Sequence, residues 1–312
     1  MIKKKFKNVL VILGGTSGER TISLESGKAC IKSLKKMGYK VSTFDPKFKN
    51  LNLIDKKKTD VIFNALHGKD GEDGVAQSYF EYLKIPYTHS GVISSFNAMN
   101  KVISKEIFIK NNILTPKYFS IKNSEYKKNI FYKIIKNKKI NFPIVIKPIN
   151  EGSSLGVQIC KNKKILLKKT VVLFKKYDEL IFEEYVGGQE VQVAVINGDP
   201  LGAIELIPKR SFYDFKAKYT KQARTLHIMP ARLSKINYNK VLNIAKKTHG
   251  ALGCKGVTRS DFKFYNNKFY LLELNTQPGM TSLSLVPEIA NFKGLTFDNL
   301  VKKILLDAST NR

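Results

Sequence analysis

Thr258-Arg259-Ser260-Asp261-Phe262-Lys263-Phe264-Tyr265-Asn266-Asn267-Lys268-Phe269-Tyr270-Leu271-Leu272-Glu273-Leu274-Asn275-Thr276-Gln277-Pro278-Gly279-Met280-Thr281 reads as two strands about an Asn-Asn turn, with a Pro-Gly loop behind them. Side chains two apart on a strand share a face. Glu273 and Asn275 therefore point the same way, from a run that is otherwise Phe, Tyr and Leu. Oxygen ligands gathered on an apolar strand suit a hard cation such as Mg²⁺, held together with nucleotide phosphates. Whether Asp261 joins them depends on the turn. A two-residue loop, Asn266-Asn267, sets Asp261 opposite Leu272. A three-residue loop, Asn266 to Lys268, sets it opposite Glu273, on the same face. The expectation is the three-residue turn, with Asn267 or Lys268 left-handed. The competing reading is a surface hairpin with incidental charges.

Upstream, Phe142-Pro143-Ile144-Val145-Ile146-Lys147-Pro148 is a strand with one cation near its end, and Glu151-Gly152-Ser153-Ser154-Leu155-Gly156-Val157 follows. Small residues between two strands make a flap whose N–H and hydroxyl groups can cover phosphates. The Gly-Lys-Ser/Thr core of a P-loop is missing. Nearer the N-terminus, the apolar run Asn8 to Leu13 predicts a buried parallel strand. It leads into Gly14-Gly15-Thr16-Ser17-Gly18-Glu19-Arg20 and a helix over 23–37; strands over 40–44 and 61–65 continue the alternation. That alternation implies a doubly wound parallel sheet, with active residues at the carboxyl ends of its strands. His67, in the Gly-rich loop that ends the 61–65 strand, is weighed toward function, whereas His89 and His249 are read as structural. A helix over 94–111 carries Lys101. Lys122 to Lys139 reads as exposed helix and loop. Further helices are expected over 238–251 and 297–306.

The chain has 312 residues, 43% of them hydrophobic, which is ample for two or three cores. No apolar run approaches the ~20 residues of a membrane span. The basic, then apolar N-terminus resembles a short signal peptide, but it ends in Gly-Gly-Thr-Ser without a cleavage site, and a first strand is the better reading. Cys30, Cys160 and Cys254 are odd in number and far apart, so neither a disulfide framework nor a zinc site follows, and a reducing cytoplasm fits. The formal charge of +30 raises nucleic acid or an acidic membrane as a partner. The lysines are scattered and arginine is scarce, so compositional bias is the favoured reading, with no nucleic acid and no membrane as partners.

Arg-x-Asp followed by Leu-Leu-Glu-Leu-Asn-Thr-x-Pro-Gly-Met-Thr resembles the metal-binding end of the ATP-grasp enzymes, and in detail the D-alanine–D-alanine ligase family. Gly-Gly-Thr-Ser-x-Glu-Arg and Leu-His-Gly-x-x-Gly-Glu-Asp-Gly resemble that family's first domain. The resemblance covers essentially the whole chain, with the motifs in family order. It implies an α/β ATP-grasp fold: an N-terminal doubly wound parallel-sheet domain (1–92) and two α+β domains (93–187 and 188–312) that sandwich ATP. It implies ligation of two D-alanines through an acylphosphate, for peptidoglycan synthesis in the cytoplasm, by a homodimer. Glu19 and His67 are then expected to hold the first D-alanine, and Lys101 and Lys147 the nucleotide phosphates. Ser153 would bond into the closed site. Glu183 and the backbone from Glu184 to Val186 would read adenine, and Glu190 the ribose. Lys218 would reach the γ-phosphate, and Tyr219 would pair with Ser153 and Glu19, both within a long loop from Pro208 that resembles the family's mobile lid. Asp261, Glu273 and Asn275 would hold two Mg²⁺ or Mn²⁺ ions. Arg259 and the Gly279 N–H would stabilise the oxyanion, and Ser284 and the Leu285 N–H the second carboxylate. Residue 184 is often Lys in relatives; Glu184 here leaves only its backbone as a contact. Three rivals stay open: another ATP-grasp ligase, a ligase forming a D-lactate ester, and a basic nucleic-acid-binding protein.

Overall fold

The apolar run that opens the chain forms β1 (Asn8–Ile12), buried from Val9 onward. The computed structural model of the protein describes residues 5–208 and 225–312. After β1 come α1 (Arg20–Lys36), β2 (Lys40–Phe44), β3 (Val61–Asn64) and α2 (Val75–Leu83). The three strands form a parallel sheet in the order β2-β1-β3. Separate apolar clusters cover its two faces, one including Val9, Val11 and Phe63, the other Leu10, Ile12 and Ile62. This is the doubly wound arrangement the alternation implied.

The expected helix over 94–111 is two: α3 (Val92–Met99) and α4 (Lys101–Lys110). Asn100 breaks it. Its side-chain oxygen accepts from the N–H groups of Val102 (3.0 Å) and Ile103 (3.1 Å), the N-cap geometry that Asn favours over a helix interior. Lys101 thus becomes the first residue of a new helix. Next come β4 (Tyr118–Lys122), α5 (Lys128–Asn137), β5 (Ile144–Pro148), β6 (Gln158–Cys160), α6 (Lys163–Phe174) and β7 (Glu179–Glu184). These strands make an antiparallel sheet in the order β4-β7-β5-β6. The Lys-rich patch is not simply exposed: Phe131 and Ile135 of α5 enter the core of this sheet, while the lysines take the outer face.

Five strands make the last sheet: β8 (Gln189–Ile196), β9 (Asp199–Ile207), β10 (Leu226–Ile228), β11 (Val257–Tyr265) and β12 (Lys268–Asn275), in the order β10-β9-β8-β11-β12. Helix α7 (Lys235–Ala251) lies between β10 and β11 in the chain, and α8 (Leu285–Phe292) and α9 (Phe297–Leu306) close it. One face of the sheet shares a core with α7 and with Ala98, Phe108 and Ile113, from the α3–α4 region. The other joins α8, α9 and the first sheet in a single cluster. Gly188 turns between β7 and β8 at φ +83°, where a Cβ would lie 2.3 Å from the Phe264 carbonyl oxygen. Only glycine fits that approach.

The β11–β12 hairpin corrects the expected turn. Tyr265 pairs with Lys268, so the loop has two residues, with Asn266 (φ 47°) and Asn267 (φ 59°) both left-handed, as a primed turn requires. Asp261 nevertheless pairs with Glu273, because the register shifts between Asp261 and Phe262. Phe262 faces Leu271, and Leu272 is the extra residue of a β-bulge. The bulge turns Leu272 and Glu273 to the same cleft, where strict alternation would have separated them.

Candidate active site

The cleft lies between the second and third sheets, where β5 and β7 face the β11–β12 hairpin. β5 contributes Val145 and Lys147, and β7 with its following turn contributes Glu183 to Val186. Asp261, Lys263, Leu272 and Glu273 come from β11 and β12, and Ser154 and Leu155 from the Gly-Ser flap. Apolar side chains such as Val145, Leu155, Val157 and Leu272 share the lining with nine charged residues, an arrangement that suits a planar base joined to a polyanion.

Most of its charges are paired among the described residues. Lys147 Nζ lies 2.7 Å and Lys105 Nζ 3.3 Å from the buried Glu183 carboxylate. Burial pushes Glu183 up, but the two ammonium groups together outweigh it and hold the carboxyl below its ordinary value. Lys147 is pushed down by burial and more strongly up by Glu183 and Glu273, and ends raised. Lys105, wholly buried, is pushed down to about 8 by desolvation, which Glu183 only partly offsets. Glu190 is bonded to Lys263 at 2.9 Å. The N–H groups of Glu184 and Tyr185 donate to the carbonyls of Lys117 (2.9 Å) and Pro143 (3.0 Å).

At the hairpin end of the cleft, Asp261 and Glu273 face each other across β11 and β12. Arg259 forks onto Asp261 at 2.7 and 2.9 Å. Lys101 Nζ bonds the Glu151 carbonyl and lies 3.9 Å from Glu273. Asn275 Nδ2 donates to the Arg259 carbonyl at 3.4 Å, which leaves the amide oxygen as its ligand atom. Two carboxylates and an amide oxygen are hard donors and fit Mg²⁺ or Mn²⁺. Among the described residues no three His, Cys, Asp or Glu side chains form a metal cluster, so phosphate oxygens or water must complete any shell here.

Beyond Glu273 and Asn275 a narrow passage, lined also by Glu72, Gly152 and Thr276, leads to a second pocket. Glu19, His67, Glu72, Ser153, Arg259 and Gly279 line that pocket. Ser153, at φ 47°, donates its hydroxyl to the Glu19 carboxylate, so the flap touches the first domain. His67 is fixed by Ser26, whose hydroxyl lies 3.1 Å from Nε2 and also accepts the Met280 N–H (3.1 Å). Ser23, one turn earlier on α1, accepts from Gly14 N–H (2.7 Å) and donates to Ala65 carbonyl (2.8 Å). Gly14 sits at φ +87°, where a Cβ would strike Asp45, whose carboxylate holds the loop through Gly15 N–H and Arg20. A serine-lined face of α1 therefore ties both loops to the sheet. Ser284 does not line the pocket: its hydroxyl is bonded to Thr281 and sits 2.8 Å from where a Gly279 Cβ would be. Leu285 begins α8 and is buried. Lys218 and Tyr219 lie outside the described residues.

His89 and His249 are buried, and desolvation pushes them down to about 3 and about 4, so both are neutral core residues. Sequence reasoning missed Glu72, Gln277, Ser26, Lys105 and Lys263. Gln277 is buried and bonds Asn64 (2.9 Å) and the Leu66 carbonyl, joining the Pro-Gly loop to β3. Serines at i and i+3 on an otherwise apolar helix face were the one readable signal among these.

The family models for the N-terminus and the C-terminus of D-ala D-ala ligase match residues 44–90 and 107–306. The chain belongs to the D-alanine–D-alanine ligase family. It is 57% identical over 307 residues to the D-alanine–D-alanine ligase of Pelagibacter ubique strain HTCC1062, covering 98% of this chain and 99% of that one. The crystal structure of the Bacillus anthracis ligase superposes with a TM-score of 0.86 at 32% identity over 97% of each chain, and its ATP complex with 0.82 at 28% identity, again over 97% of each. VanG D-Ala:D-Ser ligase from Enterococcus faecalis superposes with 0.83 at 26% identity, over 96% of this chain and 98% of that one. The ATP-grasp fold expected from the hairpin motif is the fold of these neighbours. No helix among the described residues is long and apolar enough to cross a membrane.

Proposed function

We propose that this chain joins two D-alanines with ATP, giving D-alanyl-D-alanine for peptidoglycan synthesis in the cytoplasm. The observation that carries the reading is the run of cavities from Glu183 past Glu273 to Glu19 and His67. We assign the nucleotide to one end and a small zwitterion to the other, with the reacting atoms meeting between. We divide the chain into a substrate domain (1–92), a central domain (93–187) and a C-terminal domain (188–312), each with one of the three sheets.

Glu19 holds the ammonium of the first D-alanine, with His67 beside it. That substrate's carboxylate attacks the γ-phosphorus of ATP and ADP leaves, giving an acylphosphate. The amine of the second D-alanine attacks the acyl carbon, the amide forms, and phosphate departs as the amine loses its proton. Phosphoryl transfer needs positioned cations more than covalent groups, and Lys101 and Lys147 supply them here. Asp261, Glu273 and Asn275 are the residues that would hold Mg²⁺ or Mn²⁺, two ions, whose chemistry there is to neutralise phosphate charge. Arg259 and the Gly279 N–H stabilise the oxyanion. Glu190 binds the ribose. With the Glu184 and Tyr185 N–H groups already bonded, Val186 is the backbone donor to adenine. The second carboxylate is assigned to the Ser284 hydroxyl and the Leu285 N–H, which requires Ser284 to exchange its bond to Thr281 for the substrate. Lys218 is assigned to the γ-phosphate and Tyr219 to Ser153 and Glu19 from the family resemblance alone.

Phosphate release from ATP and Mg²⁺ tests the reading, with D-alanine, with L-alanine, and with D-alanine plus D-serine or D-lactate. Release that requires D-alanine and yields the dipeptide is expected. Release with another carboxylate and amine keeps the ATP site and overturns the substrate. Ser153→Ala removes the bond to Glu19, and we expect the KM for D-alanine to rise about tenfold with kcat changed less, since a hydrogen bond to a charged group is worth roughly 1.5–3 kcal/mol.

The chain also acts as a homodimer in this reading. Val75, Tyr79 and Tyr82 of α2 and Ile93 and Phe96 of α3 are exposed apolar residues, on helices whose one charge, Glu81, is bonded to Tyr87 and the C-terminal backbone. A charge of +30 repels copies elsewhere on the surface, so this face is where two can meet. Sedimentation should give a dimer, and Tyr82→Glu a monomer. A monomeric wild type discards the dimer.

A further inference from the structure

Lys105 of α4 has no exposed surface and does not line the cleft, and no step above uses it. Its ammonium bonds Thr115 Oγ1 at 2.6 Å and lies 3.3 Å from Glu183 Oε1. Thr115 passes the contact on: its hydroxyl donates to the Leu271 carbonyl at 2.8 Å, while the Leu271 N–H donates to the Leu114 carbonyl at 2.8 Å. Leu271 is the last regular residue before the bulge that carries Leu272 and Glu273. One buried cation thus touches the carboxylate at the base end of the cleft and, through a single hydroxyl, the strand at the metal end.

We propose that Lys105 is the positioning residue for base selection: it holds the Glu183 carboxylate as a hydrogen-bond acceptor for the nucleobase amino group. The inference rests on reading the cleft as an ATP site. Adenine presents a 6-amino donor where guanine presents an oxygen acceptor. An ionised carboxylate only accepts, so it attracts the first and repels the second; a protonated one can donate to guanine. An uncompensated carboxylate buried this deeply would take up a proton. Lys147 alone does not prevent that, because it lines the cleft and an incoming triphosphate competes with Glu183 for it. Lys105 faces no such competitor. The neighbouring Tyr118 ring lies 5.5 Å from its ammonium, and the Tyr118 hydroxyl is bonded to Glu106.

The test compares wild type with Lys105→Met, measuring ATP and GTP binding by calorimetry and D-alanine-dependent phosphate release. The expected result is ATP affinity weakened about tenfold, an ATP-over-GTP preference reduced at least as much, and a smaller change in kcat, in line with losing one partner of a buried pair. Lys105→Gln, which keeps a neutral donor, serves if the methionine variant does not fold. Wild type that binds no nucleotide overturns the ATP reading itself. Wild type that prefers ATP, with variants that keep the preference within about twofold, overturns the role given to Lys105 and leaves the ATP reading standing.

Discussion

Glu273→Gln should lower turnover about a thousandfold, while leaving the melting temperature within a few degrees of wild type. Several kcal/mol of transition-state charge stabilisation are at stake at a metal-assisted phosphoryl transfer, and each ~1.4 kcal/mol is a factor of ten. The substitution keeps the shape of the side chain and removes one of two carboxylates that face each other across the hairpin. Glu273 is partly exposed in the cleft, and glutamine keeps its length and its hydrogen-bonding oxygen there, so the fold is expected to tolerate the change. The check has two readouts. Phosphate release should fall, and Mn²⁺ binding in the presence of ADP, followed by its paramagnetic signal, should weaken in parallel. Normal turnover in this variant would remove the metal assignment from the whole hairpin.

The same hairpin shows how far the sequence could be read. The pairing of Asp261 with Glu273 was legible, because side-chain chemistry demanded a shared face. The means was not: parity alone favoured a longer turn, whereas the chain uses the Asn266-Asn267 turn and absorbs the odd residue in a bulge at Leu272. Nothing in an apolar strand sequence marks which residue will be the extra one. Asn100 carried a readable cap signal, but it lies inside an apolar periodic run that argued for one helix. Lys105 was the least legible. In sequence it is one more lysine in a lysine-rich chain, and only the tertiary structure buries it against Glu183 and Thr115. The loops fared better, since Gly-Gly-Thr-Ser and Leu-His-Gly mark strand ends where a parallel sheet places its chemistry. Their anchors on α1, Ser23 and Ser26, are small polar residues that a hydrophobic pattern does not score.

Arg259→Lys should separate two jobs proposed for one side chain. The guanidinium forks onto Asp261 and also lines the pocket with Gly279, where an oxyanion would form. A metal ion approaching Asp261 must loosen that fork, since both carboxylate oxygens are engaged. Lysine keeps a charge but loses the planar two-point geometry. If the oxyanion role dominates, kcat falls about 10²–10³-fold, the scale of losing a preorganised donor, while the KM for ATP changes little. Asp261, released from its partner, then binds Mn²⁺ at least as well as in wild type. If Arg259 instead serves to place Asp261 for the metal, Mn²⁺ affinity and kcat fall together. The first outcome is expected, because a group whose whole purpose was to position a ligand would not occupy both of that ligand's oxygens. Joint loss of metal affinity and turnover would reverse the assignment and make Arg259 part of the metal end of the cleft.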